Sequence, residues 1–129
     1  MERTPDYIGA WDSHHFAELS ENLPEKRKNM QNHFQLFIDS SIGERFNGTT
    51  LDKYGVADIN GVNTKEFIEF KKKYRQEAIT NGSDPNIIKY RGIKTKGQAR
   101  GLEDEDSELV AGIINQPPRV RVFIMKKVE

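Results

Sequence analysis

The clearest structural pattern in this chain lies in residues 33–74, which read HFQLFIDSSIGERFNGTTLDKYGVADINGVNTKEFIEFKKKY. It consists of short runs in which apolar and polar residues alternate, and β-branched and aromatic side chains are frequent in these runs. Turn-forming residues separate the runs at Gly43, at Asp52–Gly55 and at Gly61–Thr64. This pattern predicts four antiparallel strands joined by tight turns, which is a β-meander.

Each predicted strand of the meander has one apolar face. After a second strand around residues 34–38, the third to fifth strands are predicted over Glu44–Leu51, Val56–Val62 and Lys65–Tyr74. Lys72 interrupts the apolar face of the fifth strand. In chain order the apolar faces carry Phe34, Leu36, Ile38, Phe46, Gly48, Thr50, Ala57, Ile59, Gly61, Ile68, Phe70 and Tyr74.

Further strands are predicted on both sides of the meander. The first covers Tyr7–Phe16 and bends at Gly9, the sixth covers Ile87–Lys94, and the last covers Arg119–Lys127. In the last strand both faces carry apolar residues, so either face is able to lie against a core.

The remaining segments are predicted to be mostly loops. Glu18–Asn29 contains Pro24 and predicts a lid-like loop rather than a long helix. Gln76–Pro85 is rich in turn-forming residues and predicts another loop. Acidic residues interrupt the region Lys96–Gln116, which predicts one broken strand or a hairpin with its firmer half at Leu109–Ile114.

These elements add up to about eight strands with mostly short connections. Glycines recur inside the predicted strands at Gly9, Gly48, Gly61 and Gly92, as expected where strands bend sharply or two backbones approach closely. We therefore predict an all-β fold, a single antiparallel up-and-down barrel of about eight strands in one domain over residues 1–129. A two-sheet sandwich is the competing architecture, but it more often needs long crossing connections.

Composition limits the partners and the compartment. The chain has 20 basic and 20 acidic residues and no cysteine, so no overall field attracts nucleic acid, and thiolate chemistry and disulfides are excluded. It lacks the apolar core of a signal peptide and any run of about 20 apolar residues that would span a membrane. We expect a cytoplasmic protein without a membrane or nucleic-acid partner.

Two clusters of polar residues invite a functional interpretation. His14 and His15 are neighbours and would point to opposite faces of a strand, so we expect no metal site there and no cofactor elsewhere. The basic run Lys71–Arg75 resembles a surface for single-stranded nucleic acid. Acidic residues flank it on both sides, however, and we interpret it as a solvated strand end.

Several short motifs resemble the calycin superfamily of lipocalins, fatty-acid-binding proteins and avidins. They are Gly9–Trp11, Phe46–Gly48, Ile59–Gly61 and a basic residue, Arg121, in the final strand. The likeness to avidins is closest over Phe34–Gly92, where FIEFKKKYR followed by IIKYRG has the spacing of two successive avidin strands. The resemblance implies a calycin-like barrel with a ligand-binding interior.

The chain also departs from these families. Avidins hold biotin between several tryptophans, whereas this chain has a single Trp, so biotin is not the expected ligand. Glu18–Asn29 is too short to be the helical lid of a fatty-acid-binding protein. Inward apolar side chains with tyrosine hydroxyls are typical of a small-ligand site. The predicted ligand-binding residues are Phe34, Leu36, Phe46, Thr50, Ile68, Phe70, Tyr90, Arg121 and Phe123.

Arg121 has three interpretations. It resembles the basic residue of calycin final strands, which packs across the Trp of the first strand, here Trp11, to close the barrel. In fatty-acid carriers the same residue meets a ligand carboxylate. Solvent exposure is the third interpretation, because Val120, Val122 and Ile124 form an equally apolar opposite face.

We expect the barrel to bind a small apolar or amphipathic ligand non-covalently in its interior. The alternative is a filled barrel that acts as a structural or protein-interaction module and pairs with itself or another protein through Val120, Val122 and Ile124 on its outer face. A third alternative is an enzyme of the isomerase or cyclase kind that works inside the barrel with Tyr90 and Arg121.

Overall fold

A computed structural model gives the structure of the protein and describes residues 3–13, 16, 19, 32–96 and 107–128. The described chain forms eight β-strands and one short helix. They are β1 (Tyr7–Trp11), β2 (His33–Ile42), β3 (Arg45–Asp52), β4 (Gly55–Asn63), β5 (Phe67–Tyr74), α1 (Gln76–Thr80), β6 (Ile88–Lys96), β7 (Glu108–Gln116) and β8 (Arg119–Lys127).

The eight strands form one closed barrel. Every strand pairs antiparallel with the next one along the chain, and β1 closes the barrel by pairing with β8, with Gly9 opposite Met125. The turn at Asp52–Gly55 joins β3 to β4 as predicted, and Gly55 has a φ of 121°. The prediction of a single antiparallel up-and-down barrel of eight strands is confirmed.

β1 is shorter than the predicted strand Tyr7–Phe16. It ends at Trp11 because Asp12 adopts a left-handed backbone with a φ of 56°, which interrupts the extended chain and which Asp tolerates better than most residues. Phe16 therefore does not extend the strand. Residues 14 and 15, and all of the predicted lid-like loop except Leu19, lie outside the described residues.

The predicted loop Gln76–Pro85 begins with the helix α1. Ala78 of this helix is buried against the barrel, and its Cβ lies where a side chain at Gly55 would begin. The turn-forming residues of this segment begin only at Asn81, after the helix has ended. The predicted hairpin or broken strand over Lys96–Gln116 contains β7, while residues 97–106 lie outside the described chain.

Glycines sit in the strands where neighbouring backbones approach closely. A Cβ added at Gly61 would lie 2.0 Å from the carbonyl oxygen of Glu69, and one at Gly112 would lie 1.9 Å from that of Arg91. No side chain larger than hydrogen fits at such distances. The strand glycines therefore permit the tight curvature that a small closed barrel requires.

Buried apolar side chains form two clusters, one inside the barrel and one outside it. The inner cluster includes the apolar faces predicted for the meander and extends from Tyr7 on β1 to Met125 on β8. In the second cluster, here called the outer cluster, Phe16 and Leu19 pack against outward-facing residues of β1, β7 and β8. Its members are Ala10, Phe16, Leu19, Leu109 and Ile124.

Candidate functional site

The predicted ligand-binding residues lie together on the inner face of the barrel. Eight of the nine are at most 4% exposed, and the ninth, Arg121, is partly buried at one end of the barrel. In β8, Arg121 shares the inward phase with Phe123 and Met125. The structure thus brings the predicted set together, and its binding of a ligand stays a prediction.

The aromatic members of this set contact one another across the interior. Tyr90 stacks on Phe70 with ring centroids 4.6 Å apart and meets Phe123 edge-on at 5.1 Å. Phe46 contacts Phe70 edge-on at 6.3 Å, and Phe34 contacts Tyr90 at 6.2 Å. Such distances are those of packed aromatic pairs, so these rings fill the part of the barrel that they line.

A buried ion pair lies beside the aromatic rings. The Lys72 ammonium donates to the Asp52 carboxylate at 2.8 Å, and the two side chains are 1% and 0% exposed. The Tyr74 hydroxyl donates to the same carboxylate at 2.9 Å. Trp11 donates its indole N–H to the Tyr90 hydroxyl at 3.0 Å. These groups are here called the interior polar cluster.

The environment of Lys72 keeps its ammonium charged. Burial acts to lower the pKa of Lys72, but the neighbouring Tyr90, Asp52 and Tyr74 outweigh it and raise the pKa above its ordinary value. The ammonium also lies 5.0 Å from the ring centroid of Trp11 and 4.7 Å from that of Tyr74, where cation–π attraction is effective. Lys72 is therefore not a neutral amine that could act as a nucleophile.

Only one member of this ion pair is conspicuous in the sequence. Lys72 stands out as a charged residue on an apolar strand face. Its partner Asp52 does not stand out, because Asp is a common residue at the start of a turn. The pairing depends on the order of the strands in the closed sheet, where β4 lies between β3, which carries Asp52, and β5, which carries Lys72.

Arg121 lies over Trp11 at the end of the barrel. Its guanidinium carbon is 5.3 Å from the centroid of the Trp11 ring, and Nη2 donates to the Asp12 carboxylate at 2.7 Å. The hydrogen bond with Asp12 raises the pKa of Arg121 above its ordinary value. Of the three interpretations, the contact with Trp11 is the one the structure contains, and a carboxylate of the chain itself is the partner of the guanidinium.

A second polar cluster lies at the opposite end of the barrel. The Tyr7 hydroxyl donates to Glu108, and the Lys94 ammonium pairs with the same carboxylate at 3.2 Å and donates to Asn63. Burial, reinforced by Glu108, raises the pKa of Tyr7. Polar side chains that bind one another therefore lie at both ends of the described interior.

One interior polar group differs from the rest. The Thr50 hydroxyl is buried and, within the described part of the chain, has no hydrogen-bond partner. A buried hydroxyl without a partner costs about 1–3 kcal/mol, so it calls for an explanation such as a bound water or ligand.

A groove with a volume of about 790 Å³ crosses the outer face of the barrel from β2 to β7. Two parallel rows of outward-facing side chains form its walls, each row following the register of paired strands. The first row is Ser40, Asn47, Asn60, Lys71, Lys89 and Asn115. The second row is Ile42, Arg45, Val62, Glu69, Arg91 and Ile113.

Inward-facing residues lie in the register row between these two walls. Phe46, Gly61, Phe70 and Tyr90 border the groove although the side chains of the three aromatic residues are buried in the barrel. Their backbone atoms therefore form the floor of the groove. This outer groove was not predicted, because the sequence does not show how strands separated along the chain align with one another.

Basic side chains dominate the charge of the outer groove. Lys71 and Lys89 are exposed and lie directly opposite each other on β5 and β6. Arg45 and Arg91 are exposed in the second row, where Arg91 lies 3.8 Å from Glu69, the groove's one acidic residue. The prediction that the run Lys71–Arg75 is a solvated strand end holds only in part: Lys71, Lys73 and Arg75 are exposed, whereas Lys72 and Tyr74 are buried. Lys71 itself lies in a concave surface and not at an isolated strand end.

The apolar outer face of β8 is only partly available to a partner. Val120 is 72% exposed, whereas Ile124 is 2% exposed because the outer cluster covers it. Using Ile124 in an interaction surface, as the interaction-module alternative assumes, is therefore wrong for the chain as folded.

The described residues contain neither a cluster of metal ligands nor a membrane-spanning helix. No group of three or more His, Asp or Glu side chains there is placed to hold a metal ion. His14 and His15, which the sequence analysis considered, lie outside the described chain. Nor do the described residues include a helix that is long and apolar enough to span a membrane.

Comparison with known proteins finds no match, either to a protein-family model, to a curated protein or to a solved structure.

Proposed function

We propose that the protein is a non-enzymatic binding module, a filled barrel that holds an elongated partner in its outer groove. The observation that carries this proposal is the groove itself, a concavity of about 790 Å³ that crosses six strands, with one wall of polar and charged side chains and a second wall that also carries Ile42, Val62 and Ile113. Concave surfaces with converging polar groups are the usual sites of recognition.

The barrel interior supports the same proposal. Lys72 and Asp52 satisfy each other, the Tyr90 hydroxyl accepts hydrogen bonds from Trp11 and Lys72, and the aromatic rings are in mutual contact. A filled and internally bonded barrel is a rigid scaffold, and rigid elements hold a binding surface at low entropic cost.

The shape of the outer groove favours an elongated partner. Neighbouring strands lie about 4.8 Å apart, so a groove that crosses six strands is about 24 Å long when it is measured along the curved wall of the barrel. A compact small molecule would occupy only part of that length. We infer a partner that runs perpendicular to the strands.

The test maps binding on the folded protein by two-dimensional amide NMR. A panel of short peptides, oligosaccharides, oligonucleotides and fatty acids is titrated into the labelled protein. We expect one class to shift the amides of the groove strands, with the largest shifts in the two walls. Shifts confined to inward-facing residues, or no shifts with any class, would contradict the proposal.

A groove-blocking variant provides the control. Asn60→Trp places a large side chain in the first wall, and Asn32→Trp adds the same bulk at an exposed position outside the groove. Only the first variant is expected to abolish the shifts. Equal binding by both variants would place the partner elsewhere.

A second candidate function is the binding of a small ligand inside the barrel, and the unpartnered hydroxyl of Thr50 favours it. We propose it together with membership of the calycin superfamily, which the contact between Arg121 and Trp11 supports. Native mass spectrometry of the purified protein tests it. An extra mass that leaves on unfolding, and that is lost in Thr50→Val, is the expected result, and bare protein would count against it.

A further inference from the structure

We propose that the partner held in the outer groove is an extended peptide segment rich in Asp and Glu. This inference rests on the proposed function, because it names the chemical class that the groove accepts. Three features of the groove support it: the charge of the two walls, the amide groups of the first wall and the length of the groove.

The charged groups of the walls favour carboxylates. Lys71 and Lys89 stand side by side in the first wall, and Arg45 and Arg91 stand in the second. Glu69 is the one acidic residue among the lining residues, and it lies beside Arg91. The positive field is local, because the chain as a whole is neutral. Lys and Arg at exposed positions pair with carboxylates and attract them over a Debye length.

The amide groups of the first wall favour a peptide backbone. Asn47 of β3 and Asn60 of β4 are directly opposite each other. Asn115 of β7 lies opposite Lys89 of β6. An Asn side chain both donates and accepts hydrogen bonds. Such amide groups are able to hydrogen-bond both the N–H and the C=O groups of an extended chain, which a purely basic surface would not do.

The dimensions indicate the length of the segment. An extended peptide advances about 3.4 Å per residue, so a groove of about 24 Å holds about seven residues. Alternate side chains of such a segment point toward the same wall. Acidic side chains at every second position would therefore meet the lysines of the first wall, while the intervening side chains face the second wall.

Single-stranded nucleic acid is the competing polyanion, and the described residues disfavour it. Such strands are held largely by bases that stack on exposed aromatic side chains. The aromatic residues that border the groove, Phe46, Phe70 and Tyr90, are at most 4% exposed and turn their rings inward. The groove offers charge without a stacking surface.

The experiment measures fluorescence anisotropy of labelled seven-residue peptides on the intact protein. The probe alternates Glu with Thr, a matched neutral peptide carries Gln in place of Glu, and a matched basic peptide carries Lys. We expect the Glu peptide to bind at least tenfold more tightly than the Gln peptide, with no binding of the Lys peptide. Its affinity should fall as salt is raised, since the contacts are exposed charges.

Two double variants of equal net charge separate the groove from general electrostatics. Lys71→Gln with Lys89→Gln removes the basic pair of the first wall, and Lys53→Gln with Lys127→Gln removes two exposed lysines outside the groove. We expect the first pair to weaken the Glu peptide at least tenfold and the second pair less than twofold. Equal weakening by both pairs would overturn the inference, as would tighter binding of a thymidine oligonucleotide or a sulfated oligosaccharide than of the Glu peptide.

Failure of this inference differs from failure of the proposed function. If another class of the NMR panel shifts the groove amides while the Glu peptide does not bind, the groove is a binding site for a different partner. If no class shifts the groove amides, both proposals fall.

Discussion

At the scale of single residues, the ion pair between Lys72 and Asp52 is the main departure from an apolar core. Two buried charges lose the hydration that water gives them, and the loss is recovered only when each charge has its partner and further hydrogen bonds. Tyr74 and Tyr90 supply those hydrogen bonds here. We therefore expect that removing one of the two charges destabilises the fold more than removing both.

Lys72→Met tests this dependence. The variant leaves the Asp52 carboxylate buried without its cation, so we expect the free energy of unfolding to fall by about 3–5 kcal/mol in urea denaturation. Lys73→Met, on the exposed face of the same strand, should change it by at most about 0.5 kcal/mol. Adding Asp52→Leu to Lys72→Met should restore part of the loss. Equal effects of the two lysine variants would contradict the interpretation.

Arg121→Leu tests the contact with Trp11. The guanidinium contributes cation–π attraction of about 0.5–1 kcal/mol and a partly exposed ion pair with Asp12 worth at most about 1 kcal/mol. We therefore expect Arg121→Leu to lower the free energy of unfolding by about 1–2 kcal/mol, measured by urea denaturation. Arg119→Leu, at an exposed position two residues away, serves as the control. A variant as stable as the control would mean that the contact contributes nothing.

At the scale of elements, the strand glycines limit how β6 and β7 pair. In Gly112→Ala the new Cβ would overlap the backbone of Arg91, which is not able to move as a side chain can. We expect a loss of about 3 kcal/mol in the free energy of unfolding. Gly43→Ala should cost only about 1–2 kcal/mol, since its φ of 60° is unfavourable for Ala but nothing lies within 4 Å. Equal losses in urea denaturation would show that backbone crowding is unimportant.

Also at the scale of elements, the outer cluster explains why β8 has two apolar faces. Two apolar faces alternate along this strand, and the sequence alone does not decide between them. The structure places Phe123 and Met125 inside the barrel, and it covers Ile124 on the other face with Phe16 and Leu19. Both faces are apolar because both are buried in part, one by the barrel and one by the chain's own segment.

At the scale of the whole molecule, the buried hydroxyls and the interior ammonium determine stability at high pH. The pKa values of Tyr7, Tyr74 and Lys72 are raised in the folded state, for both tyrosines mainly by burial. These groups bind their protons more tightly when folded, so the stability they contribute is complete below their unfolded pKa values of about 10. It is lost as the pH rises from there toward the folded pKa values.

We therefore expect the protein to lose stability steeply above about pH 10, with each of the three groups removing about 1.4 kcal/mol per pH unit. Urea denaturation at a series of pH values measures the loss. Of the four tyrosines, Tyr7 and Tyr74 should form tyrosinate only as the chain unfolds, whereas in urea all four should titrate together. Ionisation of all four tyrosines in the folded protein near pH 10 would contradict the burial argument.

The sequence predicted more of the scaffold than of the site. The inward set from Phe34 to Phe123 was found from alternation within each strand, since alternation is a property of neighbouring residues. The ion pair was missed because Lys72 and Asp52 are on different strands. The outer groove was missed for the same reason: Lys71 and Lys89 become neighbours only when β5 and β6 take up their register.

Local patterns of the sequence predict the closed antiparallel barrel and most of its strands, because these follow from a period of two, from turn residues and from glycines at close approaches. The end of β1 and the helix α1 differ from the prediction. The three-dimensional arrangement adds which face of β8 lies inside, that Asp52 is the partner of Lys72, and that a polar row and a partly apolar row of side chains form one groove. Register and closure place distant residues side by side, with Lys71 and Lys89 18 positions apart in the chain and Asp52 and Lys72 20 apart, and no local pattern encodes such a distance.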